Sequence, residues 1–252
     1  MTCGKLYVVA TPIGNLEDIS SRALDILRDV HLIASENPAR TQRLLARYEI
    51  QTPMMRYTDA YQRKKRQRTA AVLDALQEGD VALVSEAGMP GLADPGFELI
   101  AAAQRQGVRV VPVPGPTALS AALSVAGIPA ERFLFLGFLP RASSARRKLL
   151  APLVHSPFTI VAYESPHRLL DTLAVLDDLF DDRLMAAACE LTKLYEEIQR
   201  GSAAELLARF EGKKPRGEFT LVIAGSGQRD PAARPRQEPT ARSRQGGEEG
   251  TT

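Results

Sequence analysis

The stretch LVSEAGMPGLADPG, Leu83 to Gly96, decides how the rest of the chain is read. Its first residues continue the apolar run VALVS (81–85), which has the length and β-branched content of a buried strand. From Gly88 to Gly96 the next nine residues hold three glycines and two prolines. A plain strand-to-helix connection rarely needs that much backbone control, so the loop is shaped to approach something closely.

Outward from this stretch, short apolar runs alternate with helix-like segments. Strands are predicted at 5–10, 31–35, 81–85 and 108–113, then at 132–138, 158–164, 183–190, 194–199 and 218–225. The clearest helix is predicted from Pro166 to Phe180, with Ser165 as cap and Leu169, Leu173, Leu176 and Phe180 on one face. The alternation predicts an α/β fold with largely parallel sheets; the later strands follow one another closely enough for antiparallel pairing. A division near residue 115 gives an N-terminal α/β domain over 1–114 and a C-terminal one over 115–227. Residues 228–252 contain no Leu, Ile, Val, Met, Phe or Tyr. Such a tail cannot bury enough surface to offset its ordering entropy, so it is predicted to be disordered.

Bulk composition narrows the function mainly by exclusion. The chain has 252 residues, 44% hydrophobic and 25% charged, with a net charge of +2, so any nucleic-acid role must rest on local clusters. Two cysteines, Cys3 and Cys189, and three histidines show no metal-ligand spacing, which predicts no structural metal and a reducing compartment. No apolar run reaches the roughly 18 residues of a membrane span, and the N-terminus lacks a signal-peptide pattern, so a cytoplasmic protein is expected.

Two more strand ends carry unusual loops. ATPIGNLEDIS follows the first strand, with Pro12 and Gly14 in a tight turn and a helix beginning near Ser20. VPVPGPTALS follows the fourth, with Gly115 and Pro116 ahead of a helix whose first turn holds Thr117. All three loops follow strand carboxyl ends and therefore gather at one sheet edge, where helix starts offer free N–H groups to a ligand. The dinucleotide fingerprint and the P-loop pattern are both missing, and no Ser/His/Asp or Cys/His arrangement appears. The residues alone lead to a nucleotide-like ligand between two α/β lobes.

Resemblance carries the reading further. LYVVATPIGNLEDIS, VSEAGMPGLADPG, VVPVPGPTALSAALSVAGIP, FLFLGFLPR, YESPHRLLDTL, ELTKLYEEIQRG and GEFTLVIAG occur in the order and spacing of the ribosomal RNA small subunit methyltransferase I family. The resemblance spans residues 5–225. It implies the tetrapyrrole-methylase (class III methyltransferase) fold, with S-adenosylmethionine between two α/β domains, and 2′-O-methylation of a cytidine in 16S rRNA. It also implies a homodimer acting on the small ribosomal subunit, without a metal. For the cofactor it implies Pro12, Gly88, Met89, Pro90, Asp94, Gly115, Pro116 and Thr117, joined from the second domain by Gly137, Tyr163, Glu190 and Leu191. The chain departs from the family pattern at Asn37-Pro38-Ala39, at Glu86 and Met89, and around Tyr57–Tyr61, where only Asp59 of the expected segment stands.

A ribose hydroxyl needs a base to take its proton. Glu36, Asp59 and Glu86 are the candidate catalytic carboxylates, with Arg40 as an orienting partner. RNA contact is expected at Arg63, Lys64, Lys65, Arg66 and Arg68, at Arg146, Arg147 and Lys148, and from Lys213 to Arg216. Tyr195 could stack on a base, but a packed tyrosine is the expectation; His167 reads as a structural neighbour of a helix start. Methylation of a tetrapyrrole carbon, or a cofactor- or RNA-binding paralogue without catalysis, are the rival readings.

Overall fold

The computed structural model describes residues 4–58, 62–212 and 214–228, with the backbone alone for 62–65. The first lobe holds β1 (Leu6–Val9), α1 (Ser21–Asp29), β2 (Leu32–Ser35), α2 (Pro38–Arg47), β3 (Met54–Arg56), α3 (Gln62–Glu78), β4 (Val81–Val84), α4 (Phe97–Arg105) and β5 (Val110–Val113). The second holds α5 (Ala118–Val125), β6 (Phe133–Phe138), α6 (Ser143–Leu150), β7 (Thr159–Glu164), α7 (Leu169–Phe180), β8 (Met185–Cys189), β9 (Glu197–Gly201), α8 (Ala203–Phe210) and β10 (Phe219–Ile223).

The first sheet runs β3-β2-β4-β1-β5 with every pair parallel. Its strands are covered on both faces, which is why they read as unbroken apolar runs. In β4, Ala82 and Val84 face α1 and α2 with Ala23, Leu27, Leu44 and Leu45, whereas Val81 and Leu83 face α3 and α4 with Val72, Leu76, Leu99 and Ala103. Pro112 sits in β5, a strand bonded only to β1, where its missing N–H costs no ladder bond.

The second sheet runs β6-β7-β10-β8-β9, parallel at β6–β7 and antiparallel elsewhere. Helices α6, α7 and α8 cover one face, with Leu169, Leu173, Leu176 and Phe180 all buried as their spacing predicts. Helix α5 covers the other face through Ala122 and Leu123, and there Ile13 of the first lobe enters the same cluster as Val161 and Val222. The short Ala186 and Ala188 on β8 leave room for that approach.

Three element boundaries differ from the sequence reading. β3 was not expected; three residues after Pro53 are too few to show a period. β9 begins at Glu197, because Thr192 stands at φ 64 and its N–H is held by the Glu196 carboxylate at 2.6 Å, which closes a turn across the expected strand. Helix α7 starts at Leu169, three residues after Pro166; Ser165 instead accepts the Arg168 backbone N–H through its carbonyl, and His167 lies exposed before the helix. Gln228, grouped with the tail by composition, is bonded to Gly225 N–H at 2.8 Å and to the Thr159 hydroxyl at 3.1 Å. The remainder of the tail, 229–252, lies outside the described residues.

Candidate functional site

Strands β4, β1 and β5 are neighbours, so the three glycine- and proline-rich loops meet at their shared carboxyl edge. Thr11 and Gly88 exchange backbone hydrogen bonds of 2.9 Å in both directions, tying the first loop to the second. Gly88 holds φ 83, a conformation that side chains rarely adopt, so this crossing requires its glycine. The third loop ends where the Thr117 hydroxyl accepts the Ser120 N–H at 3.1 Å, capping α5.

These loops form one wall of a cleft of about 330 Å³. The first lobe contributes Ile13, Glu36, Glu86, Gly88, Met89 and Asp94, and the start of α5 adds Thr117 and Ala118. The second lobe closes it with Phe138 and with the paired ends of β7 and β10, where Tyr163 and Glu164 lie beside Thr220 and Phe219, next to Glu218. Tyr163 is held on three sides. Its hydroxyl accepts the Leu119 N–H at 3.2 Å, and Phe135 and Phe138 meet its ring edge-on at 5.0 and 5.4 Å. Burial pushes its phenol above the ordinary value, partly offset by the Leu119 N–H, and the Asp94 carboxylate adds to the rise.

Among the described residues, five carboxylates and no lysine, arginine or histidine line the cleft. Glu164 is buried and answered by Arg168 at 2.5 Å and by the Thr172 hydroxyl at 2.6 Å. Lys193 approaches Glu218 at 3.4 Å. Glu36 accepts the Glu86 N–H at 2.9 Å. Burial raises the Glu86 carboxyl, but hydrogen bonds from Arg40 and Asn37 and the Arg40 charge outweigh it, leaving the group below its ordinary range. Asp94 goes the other way: burial first, then the Glu36 charge, push it up to about 7, against a hydrogen bond from Ser85.

A second cavity of about 60 Å³ shares Glu86 with the first. Pro12, Gly14, Arg40 and Thr41 line it, and Thr41 is itself fixed by a 2.7 Å hydrogen bond to Ser35. The Arg40–Glu86 ion pair thus forms a wall between a larger and a smaller compartment. Asn37 serves this wall twice, capping α2 through its carbonyl oxygen and donating to Glu86 at 3.3 Å.

Of the residues expected at the site, Glu36, Glu86, Gly88, Met89, Asp94, Thr117 and Tyr163 line the large cleft together. Pro12 and Arg40 line the small cavity instead. Pro90, Gly115, Pro116 and Gly137 are not among the lining residues; Gly137 stands at φ 62 inside the β6 irregularity that directs Phe138 into the cleft. Glu190 and Leu191 are placed elsewhere. Glu190 accepts Lys193 at 2.8 Å and the Glu218 N–H at 3.1 Å, and Leu191 is buried between the lobes. Sequence reading missed Ile13, Phe138, Glu164 and the Glu218–Thr220 edge of β10. The quoted motifs FLFLGFLPR, YESPHRLL and GEFTLVIAG contained the last three, but nothing in the spacing says which strand end faces a partner lobe.

The basic clusters separate. Arg146 is corrected outright: it is 1% exposed, donating to the Thr172 hydroxyl at 2.6 Å and to the carbonyls of Pro140 and Arg141. No RNA can reach it. Arg147 is exposed and paired with Asp178 at 2.6 Å, and Lys148 is exposed. On α3, Arg66 is exposed and Arg68 donates to the Thr58 carbonyl at 3.1 Å. Asp59, Lys213 and the side chains of Arg63, Lys64 and Lys65 lie outside the described residues. The packed reading of Tyr195 is also overturned, since it is 79% exposed and Leu194 beside it 89%. Cys189 is buried, and burial followed by the charge of Glu190 pushes its thiol up to about 11, which leaves it a poor nucleophile.

Residues 5–207 match the family model of Tetrapyrrole (Corrin/Porphyrin) Methylases. The chain is 46% identical to the ribosomal RNA small subunit methyltransferase I of Thermotoga maritima, over 88% of this chain and 99% of that one. It is 45% identical to the protein of the same name from Pseudomonas aeruginosa, over 89% of this chain and 80% of that one. Among solved structures it is similar to a cobalt precorrin-4 methyltransferase of cobalamin biosynthesis, with TM-score 0.64 and 18% identity over 87% and 94% of the two chains. It is also similar to the uroporphyrin-III C-methyltransferase of Thermus thermophilus complexed with S-adenosylhomocysteine, with TM-score 0.61 and 19% identity over 88% and 98%. At that identity the two structures establish a shared fold.

Proposed function

This chain belongs to the ribosomal RNA small subunit methyltransferase I family, within the tetrapyrrole methylases, and from that premise we propose that it methylates the 2′-hydroxyl of a cytidine in small-subunit rRNA. It is a methyltransferase that uses S-adenosylmethionine. The observation that carries the reading is the identity with the named rRNA methyltransferases over nearly nine-tenths of the chain. The tetrapyrrole enzymes share the fold at far lower identity.

The residues present fit the cofactor. A cleft lined, among the described residues, by five carboxylates and no cation suits a ligand that carries a sulfonium, an ammonium and ribose hydroxyls. The aromatic cluster of Phe138 and Tyr163 offers a flat apolar face for a purine. When bound, the sulfonium supplies an electrophilic methyl group.

The chain's own residues supply alignment and a path for the proton. Arg40 and Glu86, in the wall between the two compartments, are placed to orient a ribose or phosphate entering from the small cavity. Engaged by Arg40 and Asn37, Glu86 is a weak base. Glu36, which lines the same cleft, is better suited to accept the hydroxyl proton. Exposed Arg66 and Lys148 are suited to contact RNA phosphates. We extend the reading to a homodimer that works in the cytoplasm on the small ribosomal subunit.

The test is transfer of a labelled methyl group to unmethylated small subunits, followed by mapping of the nucleotide. Label on a cytidine ribose is expected. Label on a base, or on a tetrapyrrole offered in parallel, would overturn the assignment.

A further inference from the structure

Three of the five cleft carboxylates are paired with a cation that the fold provides, and a fourth accepts a backbone N–H. Glu86 has Arg40, Glu164 has Arg168, Glu218 has Lys193, and Glu36 has the Glu86 N–H. Asp94 is different. It is half-buried in the cleft wall, the neutral Ser85 hydroxyl is the side chain that favours its charge, and among the described residues no cation pairs with it. Every charged group that acts on it is negative: Glu36 from the end of β2, Glu86 from the loop after β4, and Glu218 from the start of β10. The phenol of Tyr163 on β7 faces it as well. Arg40 and Lys193, the cations paired with Glu86 and Glu218, are held on those carboxylates and on Glu190.

Resting on the reading that this cleft binds S-adenosylmethionine, we infer that Asp94 is the group by which the site tells the cationic sulfonium from its neutral thioether product. Methyl transfer breaks the S–CH₃ bond, forms an O–CH₃ bond, and returns the bonding pair to sulfur. The sulfonium charge disappears, and the hydroxyl proton leaves to a base or to solvent. Everything else about the ligand is the same before and after. A site that discriminates must therefore read that one charge, and a half-buried carboxylate without a cation of its own is the group most sensitive to it.

The consequence is a proton linkage. In the empty cleft burial and neighbouring carboxylates hold Asp94 up to about 7, so near neutral pH it is partly protonated. A sulfonium beside it favours the ionised form and drives the proton off; a thioether does not. Below pH 7, binding the cofactor requires Asp94 to lose a proton first, so affinity falls with pH. With a group titrating near 7, its ionised fraction drops roughly tenfold from pH 8 to pH 6, and cofactor affinity follows.

Calorimetric titration of the whole protein with S-adenosylmethionine and with S-adenosylhomocysteine, from pH 6 to pH 8, tests this. The ammonium and carboxylate common to both ligands cancel in the ratio of their dissociation constants. That preference for the sulfonium is expected to rise about tenfold from pH 6 to pH 8, and to be flat in Asp94→Asn. Repeating the wild-type titration at pH 6 in buffers of different ionisation enthalpy should show close to one more proton released by the cofactor than by the product. This second measurement needs no variant. A wild-type ratio that does not change with pH, equal proton release by the two ligands, or an unchanged slope in a folded Asp94→Asn protein each overturns the inference. Failure of both ligands to bind at any pH would instead remove the cofactor reading itself.

Discussion

Truncating Arg146 should unfold the second lobe's helical layer far more readily than truncating Arg147 beside it. Arg146 is buried on α6 and donates to the Thr172 hydroxyl at 2.6 Å, the Arg141 carbonyl at 3.1 Å and the Pro140 carbonyl at 3.3 Å. Thr172 in turn donates to Glu164 at 2.6 Å, so the guanidinium sits one hydroxyl away from a buried carboxylate. Arg146→Ala leaves the buried Thr172 hydroxyl and two part-buried carbonyls without that donor and opens the volume of the lost stem. Each orphaned acceptor costs about 1–3 kcal/mol, and breaking a buried charge arrangement costs about 3–5 kcal/mol in total. Glu164 keeps Arg168, which places the expected loss toward the lower end, about 3 kcal/mol. Arg147→Ala removes an exposed pair with Asp178 and should cost no more than about 1 kcal/mol. Urea unfolding of both variants at one pH reads the difference. Two losses of similar size would refute the account of Arg146 as a buried structural cation, and a phosphate-contacting Arg146 would leave stability untouched.

Gly14→Ala should loosen the seam between the lobes, because a Cβ there would fall 2.5 Å from Lys193 Cγ and 2.8 Å from the Leu191 carbonyl oxygen. A loss of about 1–3 kcal/mol in thermal or urea stability is expected, and a neutral substitution would contradict the close approach. Tyr195→Ser and Leu194→Ser should each change stability by less than about 0.5 kcal/mol, since both side chains stand in solvent; a larger loss by urea titration would restore the packed reading of Tyr195.

The chain's departures from the family pattern also gain a physical account. Asn37 and Glu86 each replace an aspartate of the resemblance, and the two touch: the Asn37 amide donates to the Glu86 carboxylate while its oxygen caps α2. An aspartate at 37 would set a second negative charge against Glu86. The altered segment is therefore an intact part of the wall, with Arg40 still seated on Glu86.

Sequence alone determined the layers and the place of the site. Short continuous apolar runs such as VALV, β-branched and followed by turn residues, read as strands buried on both faces, and glycine and proline after three of them mark the edge where backbone approaches a ligand. That logic is local, because strand period, caps and turn chemistry depend on near neighbours. Only the tertiary structure decided which charges are free. Arg146 and Arg147 are adjacent in an exposed-looking basic run, yet one helical step apart they face the core and the solvent. Leu194 and Tyr195 read as strand, yet the positive φ of Thr192 turns them outward. Asp94 looks like one more turn aspartate until Glu36 and Glu218 arrive from two distant segments to join Glu86 of its own loop in setting its charge. Electrostatic environment is a sum over groups far apart in sequence, and no local pattern encodes it.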